Sequence, residues 1–201
     1  LKINTEVSQR PVIVGSGPAG LFCAYYLVQA GLKPLIIERG EDVENRLKTV
    51  EKFWETGELK KESNVQFGEG GAGTFSDGKL NTLVKDTKGR NQEVLKIFVK
   101  FGAPEEILYQ QKPHLGTDML IGIVKNMRNY IKNAGGEFCF SSKMTDIQFE
   151  NGKVTAITVN DIEKIKTDCL VLAIGHSARD TFALLKDKNL PMEAKAFAVG
   201  L

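Results

Sequence analysis

The segment Gly15-Ser-Gly-Pro-Ala-Gly20 has the residue types and the spacing needed to bind a pyrophosphate. It fits the pattern G-x-G-x-x-G and lies between a predicted strand and a predicted helix. Gly15 would allow a tight turn, and Gly17 would let the backbone approach the phosphates. Gly20 would let the helix pack closely on the strand. The sequence therefore predicts a phosphate-binding turn near its start.

The helix after this turn would supply the electrostatic part of the site. Pro18 and Ala19 fall in its first turn, where free N–H groups and the helix dipole favour an anion. Glu38 ends the next buried strand and suits hydrogen bonds to ribose hydroxyls. A glycine turn without a ligand is the plainer interpretation, but strand, glycines, helix and terminal acid coincide here. FAD and NAD share this fingerprint, whereas the 2′-phosphate of NADP would meet the charge of Glu38.

Hydrophobic periodicity predicts the elements that position these residues. A strand over 10–15, a helix over 17–30 and a strand over 34–38 form a βαβ unit, which predicts a parallel sheet. Helices are also predicted over 42–56, 90–101, 117–133 and 177–187, and strands over 137–140, 143–149, 154–159 and 168–174. Asn151-Gly152 predicts a tight hairpin within a small antiparallel meander. This order predicts an α/β, Rossmann-like FAD-binding fold with a parallel sheet and a β-meander.

Some side chains at the element boundaries have expected roles. In the helix over 42–56 the apolar face is expected to hold Val43, Leu47, Val50 and Trp54. Thr117 or Asp118 could cap one helix, and Ser177, with Asp180 bonding back, could cap another.

The glycine-rich stretch 68–78 is a second candidate ligand loop. Its successive N–H groups and hydroxyls could form an anion nest, with contributions from Gly71, Gly73, Thr74 and Ser76. The alternative is a mobile surface loop, but the neighbouring fingerprint favours a ligand. Lys79 would add positive charge to the site, although a solvated lysine is an equal alternative.

Two histidines could move protons. His114 is a weak catalytic candidate, because a lone histidine is often only hydrogen-bonded within the structure. His176 follows the glycine that ends the last strand, where open α/β sheets place ligands.

The composition excludes several classes of protein. The chain has 201 residues and a net charge of +2, and its lysines are scattered among acids, so no nucleic-acid partner is expected. No apolar run is long enough for a membrane span, and no secretion signal is recognisable. Cys23, Cys139 and Cys169 are far apart, which suggests buried thiols in the cytoplasm and no flavin disulfide. No cysteine–histidine cluster indicates a metal site.

Further motifs carry a family resemblance. Glu38-Arg39-Gly40 and the strand 168–175, which ends in Ala173-Ile-Gly175, resemble the glutathione-reductase-like FAD superfamily. The stretches 67–80, 112–118 and 175–180 are similar to a bacterial family of uncharacterised FAD-dependent dehydrogenases. The resemblance implies FAD, with Glu38 and Arg39 at the adenosine, Met144 contacting the adenine through its backbone, and the Ala173–Gly175 strand end beside the cofactor.

The same resemblance sets the expected organisation. The chain would be one FAD-binding domain over 1–201, with a discontinuous core of about 10–60 and 137–201 and an insertion over about 61–136. The superfamily's late Gly-Asp motif is not found, and 195–201 reads as the start of a further strand. We therefore expect a C-terminal segment to be missing. Without that segment the chain is expected to bind FAD weakly or not at all.

The expected function is flavin-mediated hydride or electron transfer on a small-molecule substrate, with NAD(P)H as a candidate electron donor. The rival is a non-catalytic module that holds flavin or NAD as a structural ligand or sensor. An NAD-only dehydrogenase is a third alternative, which the meander and the Ala-Ile-Gly strand end disfavour.

Overall fold

The computed structural model describes residues 9–80, 85–110 and 112–196, so the strand expected over 195–201 lies almost entirely outside the described residues. The strands are β1 (Val12–Val14), β2 (Leu35–Ile37), β3 (Glu137–Cys139), β4 (Met144–Glu150), β5 (Lys153–Val159), β6 (Glu163–Lys166) and β7 (Leu170–Leu172). The α-helices are α1 (Pro18–Gln29), α2 (Val43–Thr56), α3 (Arg90–Lys100), α4 (Thr117–Asn133) and α5 (Arg179–Asp187). Two short 3-10 helices span Ala72–Phe75 and Glu105–Leu108. Within these ranges no helix is both long and apolar enough to cross a membrane.

The strands form two sheets. The first is parallel, with the order β3-β2-β1-β7, and the second is antiparallel, with the order β4-β5-β6. Strand β7 pairs with β1 although almost the whole chain lies between them. This arrangement confirms the α/β, Rossmann-like fold with a separate meander.

Two strands differ from the sequence prediction. Strand β3 was expected to begin the antiparallel segment, but it pairs in parallel with β2, with Leu35 opposite Glu137. Strand β6 was not predicted, because its residues Glu-Lys-Ile-Lys are mostly exposed and show no apolar run. The meander therefore consists of β4, β5 and β6. Its first turn was predicted correctly, since Asn151 and Gly152 both have positive φ, at 51° and 75°.

The parallel sheet separates two apolar clusters. Ile13 and Ile36 face a cluster that includes α1, α3 and α4. Their neighbours along the strands, among them Val12 and Ile37, face the meander and Leu185 of α5. Because alternate strand residues point to opposite faces, a sheet of short apolar strands can be buried on both sides. The carboxyl ends of the strands remain open at one edge.

The buried face of α2 is not the one that we expected. Val43 and Val50 are fully buried, but Trp54 is 62% exposed, and the third buried residue of the helix is Arg46. The charged side chain is buried because it has acceptors in the loop that follows α2, as described below.

The expected thiol burial and two expected helix caps were wrong. Cys23 is half-buried, whereas Cys139 and Cys169 are exposed, the former on the edge strand β3. The cap positions of α4 and α5 are Gly116 and Ala178, and neither makes a side-chain cap bond. Thr117, Asp118 and Ser177 therefore do not cap these helices.

The start of helix α1 packs directly against the backbone that follows β1, with no room for a side chain between them. A Cβ atom added at Gly20 would overlap the carbonyl oxygen of Gly15. Gly15 has φ at +102°, and a Cβ there would overlap the carbonyl oxygen of Ala173, just after β7. The first and third glycines of the turn are thus required by packing in the protein itself.

We expect Gly20→Ala to lower the free energy of unfolding by about 2–4 kcal/mol, because one backbone segment must move. Gly122→Ala is the matched control, since a Cβ at this position of α4 meets nothing within 4 Å. It should raise stability by about 0.5–1 kcal/mol through helix propensity. Urea unfolding of both variants measures the difference, and equal stabilities would contradict the packing argument.

Candidate functional site

A cleft of about 520 Å³ lies at the carboxyl ends of β1, β2 and β7. Open parallel sheets place ligands at this edge. Segments from across the chain line the cleft: the glycine turn, the end of β2, the loop after α2, the start of β4, the end of β7 and one face of α5. The lining includes Gly15, Gly17, Pro18, Ala19, Glu38, Arg39, Phe67, Gly71, Met144, Ala173, Gly175 and His176.

Gly17 leaves open space above the start of α1. It occupies the N-cap position with φ −68° and ψ −175°, a conformation open to any residue. A Cβ there would have a single neighbour within 4 Å, Gly71 Cα at 3.6 Å. The first N–H groups of α1 have no acceptor within the helix. Gly17 is therefore not needed for packing, and the space it leaves is suited to an anion at a helix N-terminus.

Glu38 braces the glycine turn. Its Oε2 accepts hydrogen bonds from the backbone N–H and the hydroxyl of Ser16, at 2.8 and 2.9 Å, and its Oε1 accepts from Gly40 N at 2.9 Å. The residue is only 5% exposed, yet it lines the cleft. A carboxylate has about four lone-pair sites, so Glu38 keeps acceptor capacity for a ribose hydroxyl.

Arg46 holds the loop after α2. Its side chain is fully buried and donates to five carbonyl oxygens at 2.7–3.3 Å, those of Asn64, Val65, Gly68, Glu69 and Gly71. The guanidinium also lies over the ring of Phe75, 4.6 Å from its centre. Burial lowers the pKa of Arg46 to about 10, so the group remains charged at neutral pH. One cation thus supplies hydrogen-bond donors to several backbone carbonyls of an irregular buried loop.

A second arginine completes a buried ion network. Arg128 of α4 donates to Glu69 Oε2 at 2.6 Å and to both oxygens of Glu44 at 2.8 Å. Within the described part of the chain, Glu69 Oε1 is buried without a hydrogen-bond donor. Burial raises the pKa of Glu69 to about 7, although Arg128 opposes this shift. The network connects the loop to α2 and α4.

The loop after α2, which Arg46 and Arg128 hold in place, contacts the glycine turn with only part of its residues. Gly70 N donates to Ser16 O at 3.0 Å, and Gly71 lines the cleft. Thr74 is 3% exposed and is packed beneath Gly70. Of the other predicted loop residues, Gly73, Ser76 and Lys79 do not line the cleft, and Lys79 pairs with Asp77 at 2.8 Å.

His114 lies away from the cleft. It is exposed and lies in the segment between α3 and α4, where its backbone pairs in antiparallel orientation with that of Lys79. Met144, Ala173 and Gly175 do line the cleft, as do His176 and Ser177. The structure thus brings together the glycine turn, the β2 end, the start of β4 and the β7 end. It does not bring His114 to them.

Several residues that line the cleft were not predicted from the sequence, among them Phe67, Thr181 and Phe182. Thr181 and Phe182 lie in α5, beyond the strand end at which open α/β sheets place ligands. Phe67 belongs to the stretch 67–80 that carries part of the family resemblance, but its contact with the Arg39 guanidinium, 4.5 Å from ring centre to Cζ, depends on tertiary folding. The i, i+3 spacing of Val43 and Arg46 could have indicated that Arg46 is buried.

Comparison with known proteins agrees with this architecture. The protein-family model for the NAD(P)-binding Rossmann-like domain matches residues 13–67. An uncharacterized protein of Clostridium beijerinckii is 55% identical over 196 residues, which cover 98% of this chain and 36% of that protein.

Solved structures have a fold similar to that of this chain. The THI4 structure of Thermovibrio ammonificans superposes with a TM-score of 0.55 at 18% identity, over 90% of this chain and 63% of that one. A structure of OTEMO in complex with FAD and NADP gives a TM-score of 0.50 at 15% identity, over 84% of this chain and 26% of that one. The chain thus has a Rossmann-like fold, and it spans about a third of the length of its C. beijerinckii relative.

We expect Arg46→Met to destabilise the protein by about 3–5 kcal/mol, because it leaves buried carbonyls without donors and Glu69 without one of its cations. Lys48→Met, at an exposed position of the same helix, should change stability by less than about 0.5 kcal/mol. Urea denaturation measures both values. A small loss in Arg46→Met would show that water replaces the guanidinium in the loop.

The raised pKa of Glu69 predicts a pH dependence of stability. A carboxyl whose pKa is higher in the folded protein than its ordinary 4.5 contributes stability at low pH. That contribution is lost as the pH rises through about 7. We therefore expect the free energy of unfolding of Glu69→Gln to decline less than that of the wild type between about pH 5 and pH 7.5. The exposed Glu55→Gln should follow the wild type, and parallel curves for all three proteins would contradict the shift.

Proposed function

We propose that this chain is the FAD-binding part of an FAD-dependent oxidoreductase, a dehydrogenase that acts on a small-molecule substrate. The observation that carries the proposal is the open space at Gly17. It lies over a helix N-terminus, between the Glu38 carboxylate and the end of β7. A pyrophosphate fits the helix end and a ribose fits Glu38, so one dinucleotide can satisfy both.

FAD is favoured over NAD by two features of the chain. The meander packs beside the parallel sheet and brings Met144 to the cleft, which suits the adenine contact implied by the resemblance. Strand β7 is followed by Ala173-Ile-Gly175, which lines the cleft at its other wall. OTEMO, whose structure carries FAD and NADP, shares this fold and adds support.

The residues of the chain fit the cofactor as follows. Gly17 and the first turn of α1 would hold the pyrophosphate, and Glu38 would accept from a ribose hydroxyl. Gly71 lies against Gly17 and would exclude water from the phosphates. FAD, when bound, supplies hydride or electron transfer chemistry. NAD(P)H as electron donor, a cytoplasmic location and a C-terminal segment that completes the pocket belong to the same proposal.

A non-catalytic module that keeps flavin or NAD as a sensor is the second candidate. It is favoured by the position of His114, the proposed proton carrier, because the described cleft lining does not include it. The two candidates differ in whether the bound flavin is turned over by a donor and an acceptor.

The test places this chain in a longer protein. The matching 196 residues of the C. beijerinckii relative are replaced by this chain, and the product is purified beside the 201-residue chain itself. We expect the longer protein to be yellow, to release FAD rather than FMN on denaturation, and to bind FAD more tightly than the chain alone in a fluorescence titration. Colourless protein that cannot be reconstituted with FAD would disprove the cofactor.

Gly17→Val should weaken FAD binding in the longer protein by at least about 100-fold, because a branched side chain would occupy the phosphate space. The matched control is Gly116→Val, since Gly116 is also an N-cap glycine, with φ −61° and ψ 159°, and a Cβ there meets nothing within 4 Å. Both variants should keep the wild-type circular dichroism spectrum. An unchanged FAD affinity in Gly17→Val would show that the phosphates do not bind at Gly17.

A further inference from the structure

Four charged side chains from four parts of the chain meet beside the part of the cleft that is lined by the start of β4. Arg39 follows Glu38 at the end of β2, Glu62 lies in the loop after α2, Lys143 precedes Met144 of β4, and Asp180 lies in the first turn of α5. We call these residues the Arg39 cluster. It contains two cations and two anions, so its formal charge is zero.

Within the cluster each cation has two carboxylate partners. Arg39 Nη2 donates to Asp180 Oδ1 at 2.9 Å, and Arg39 Nη1 lies 3.4 Å from Glu62 Oε2. Lys143 Nζ donates to Asp180 Oδ2 at 2.6 Å and to Glu62 Oε1 at 3.2 Å. Burial raises the pKa of Asp180, but the bonds from Arg39 and Lys143 outweigh it and hold that pKa well below its usual value. The bond to Asp180 also raises the pKa of Lys143, so these two groups are both charged at neutral pH.

The guanidinium of Arg39 is also restrained by uncharged neighbours. Nη2 donates to the hydroxyl of Thr181 at 3.0 Å, and the ring of Phe67 lies 4.5 Å from Cζ. The side chain is only 13% exposed, although the residue lines the cleft. A free arginine beside the ribose position would be a strong binder of a phosphate group. Here the guanidinium is already paired with the carboxylates of Asp180 and Glu62.

We propose that Asp180 and Glu62 determine cofactor specificity by occupying Arg39 and Lys143, so that the cleft accepts an adenosine ribose with a free 2′-hydroxyl and rejects its 2′-phosphate. The proposal rests on the proposed function, because it assumes that the adenosine lies beside Glu38 and Met144. A 2′-phosphate would have to displace two carboxylates from two cations. A hydroxyl needs no such exchange and can use the remaining acceptor capacity of Glu38.

The experiment compares two adenine ligands on the 201-residue chain by affinity chromatography, which detects weak binding as delayed elution. One column carries immobilised 5′-ADP and the other carries immobilised 2′,5′-ADP. The wild type should be delayed more by 5′-ADP. In the variant with both Glu62→Gln and Asp180→Asn, delay on 2′,5′-ADP relative to 5′-ADP should increase by about tenfold, because two charged donors become available. Asp180→Asn alone should give a smaller change in the same direction, and adding Arg39→Met should remove most of the gain.

The matched control changes the net charge equally but outside the cluster. Glu137 pairs with Arg10 at 2.9 Å, and Asp146 pairs with Lys188 at 2.6 Å, which links β4 to the residue that follows α5. Glu137→Gln with Asp146→Asn should leave the preference unchanged. The specificity proposal is overturned if the cluster variant keeps the wild-type preference, or if the control variant shifts as much. A wild type that neither column delays, both as the 201-residue chain and as the longer protein freed of its flavin, would instead overturn the nucleotide site and the proposed function with it.

Discussion

The buried guanidinium of Arg46 is the interaction on which the cleft depends. The loop after α2 has little regular structure, and its carbonyl groups face the interior, where each needs a donor. One planar side chain with five N–H groups supplies five of these bonds from a fixed helix. Removing a charge from water is costly, and this cost is offset by the carbonyl dipoles and by Glu69 nearby. Because the loop is held, Gly71 can lie within van der Waals distance of Gly17.

Features that depend on neighbouring residues could be predicted from the sequence. The glycine turn, the βαβ unit and the Asn151-Gly152 hairpin all follow from local geometry, and their bounds agree to within a few residues. Strand β3 could not be assigned to its sheet, because three residues of mixed polarity do not specify a partner. The burial of Arg46 was also missed, although its i, i+3 spacing from Val43 places it on the buried face of α2. Its hydrogen-bond acceptors are backbone carbonyls, which the residue types of the loop do not reveal.

In the candidate site, too, features set by local sequence could be predicted, whereas features set by tertiary contacts could not. Residues attached to regular elements, such as Glu38 and Ala173, line the cleft as expected. The glycine-rich loop was predicted as one ligand surface, but it turns away after Ala72, and Thr74 is buried beneath Gly70. Glycine content indicates that a loop can bend and does not indicate the direction. That direction is decided by Arg46 and Arg128, which are distant in sequence and bind the loop backbone and Glu69.

The pairing of β1 with β7 has a consequence for the order of folding. Val12 pairs with Leu170, 158 residues further along the chain, so one wall of the cleft forms by closing a very long loop. Contacts of such high separation are slow to form, and the helices and the meander hairpin can form before them. During synthesis the β1–β2 half of the sheet leaves the ribosome long before β7 does. The proposed dinucleotide would therefore recognise only a chain that has completed its central sheet, and by binding only that state it would stabilise the finished fold by mass action.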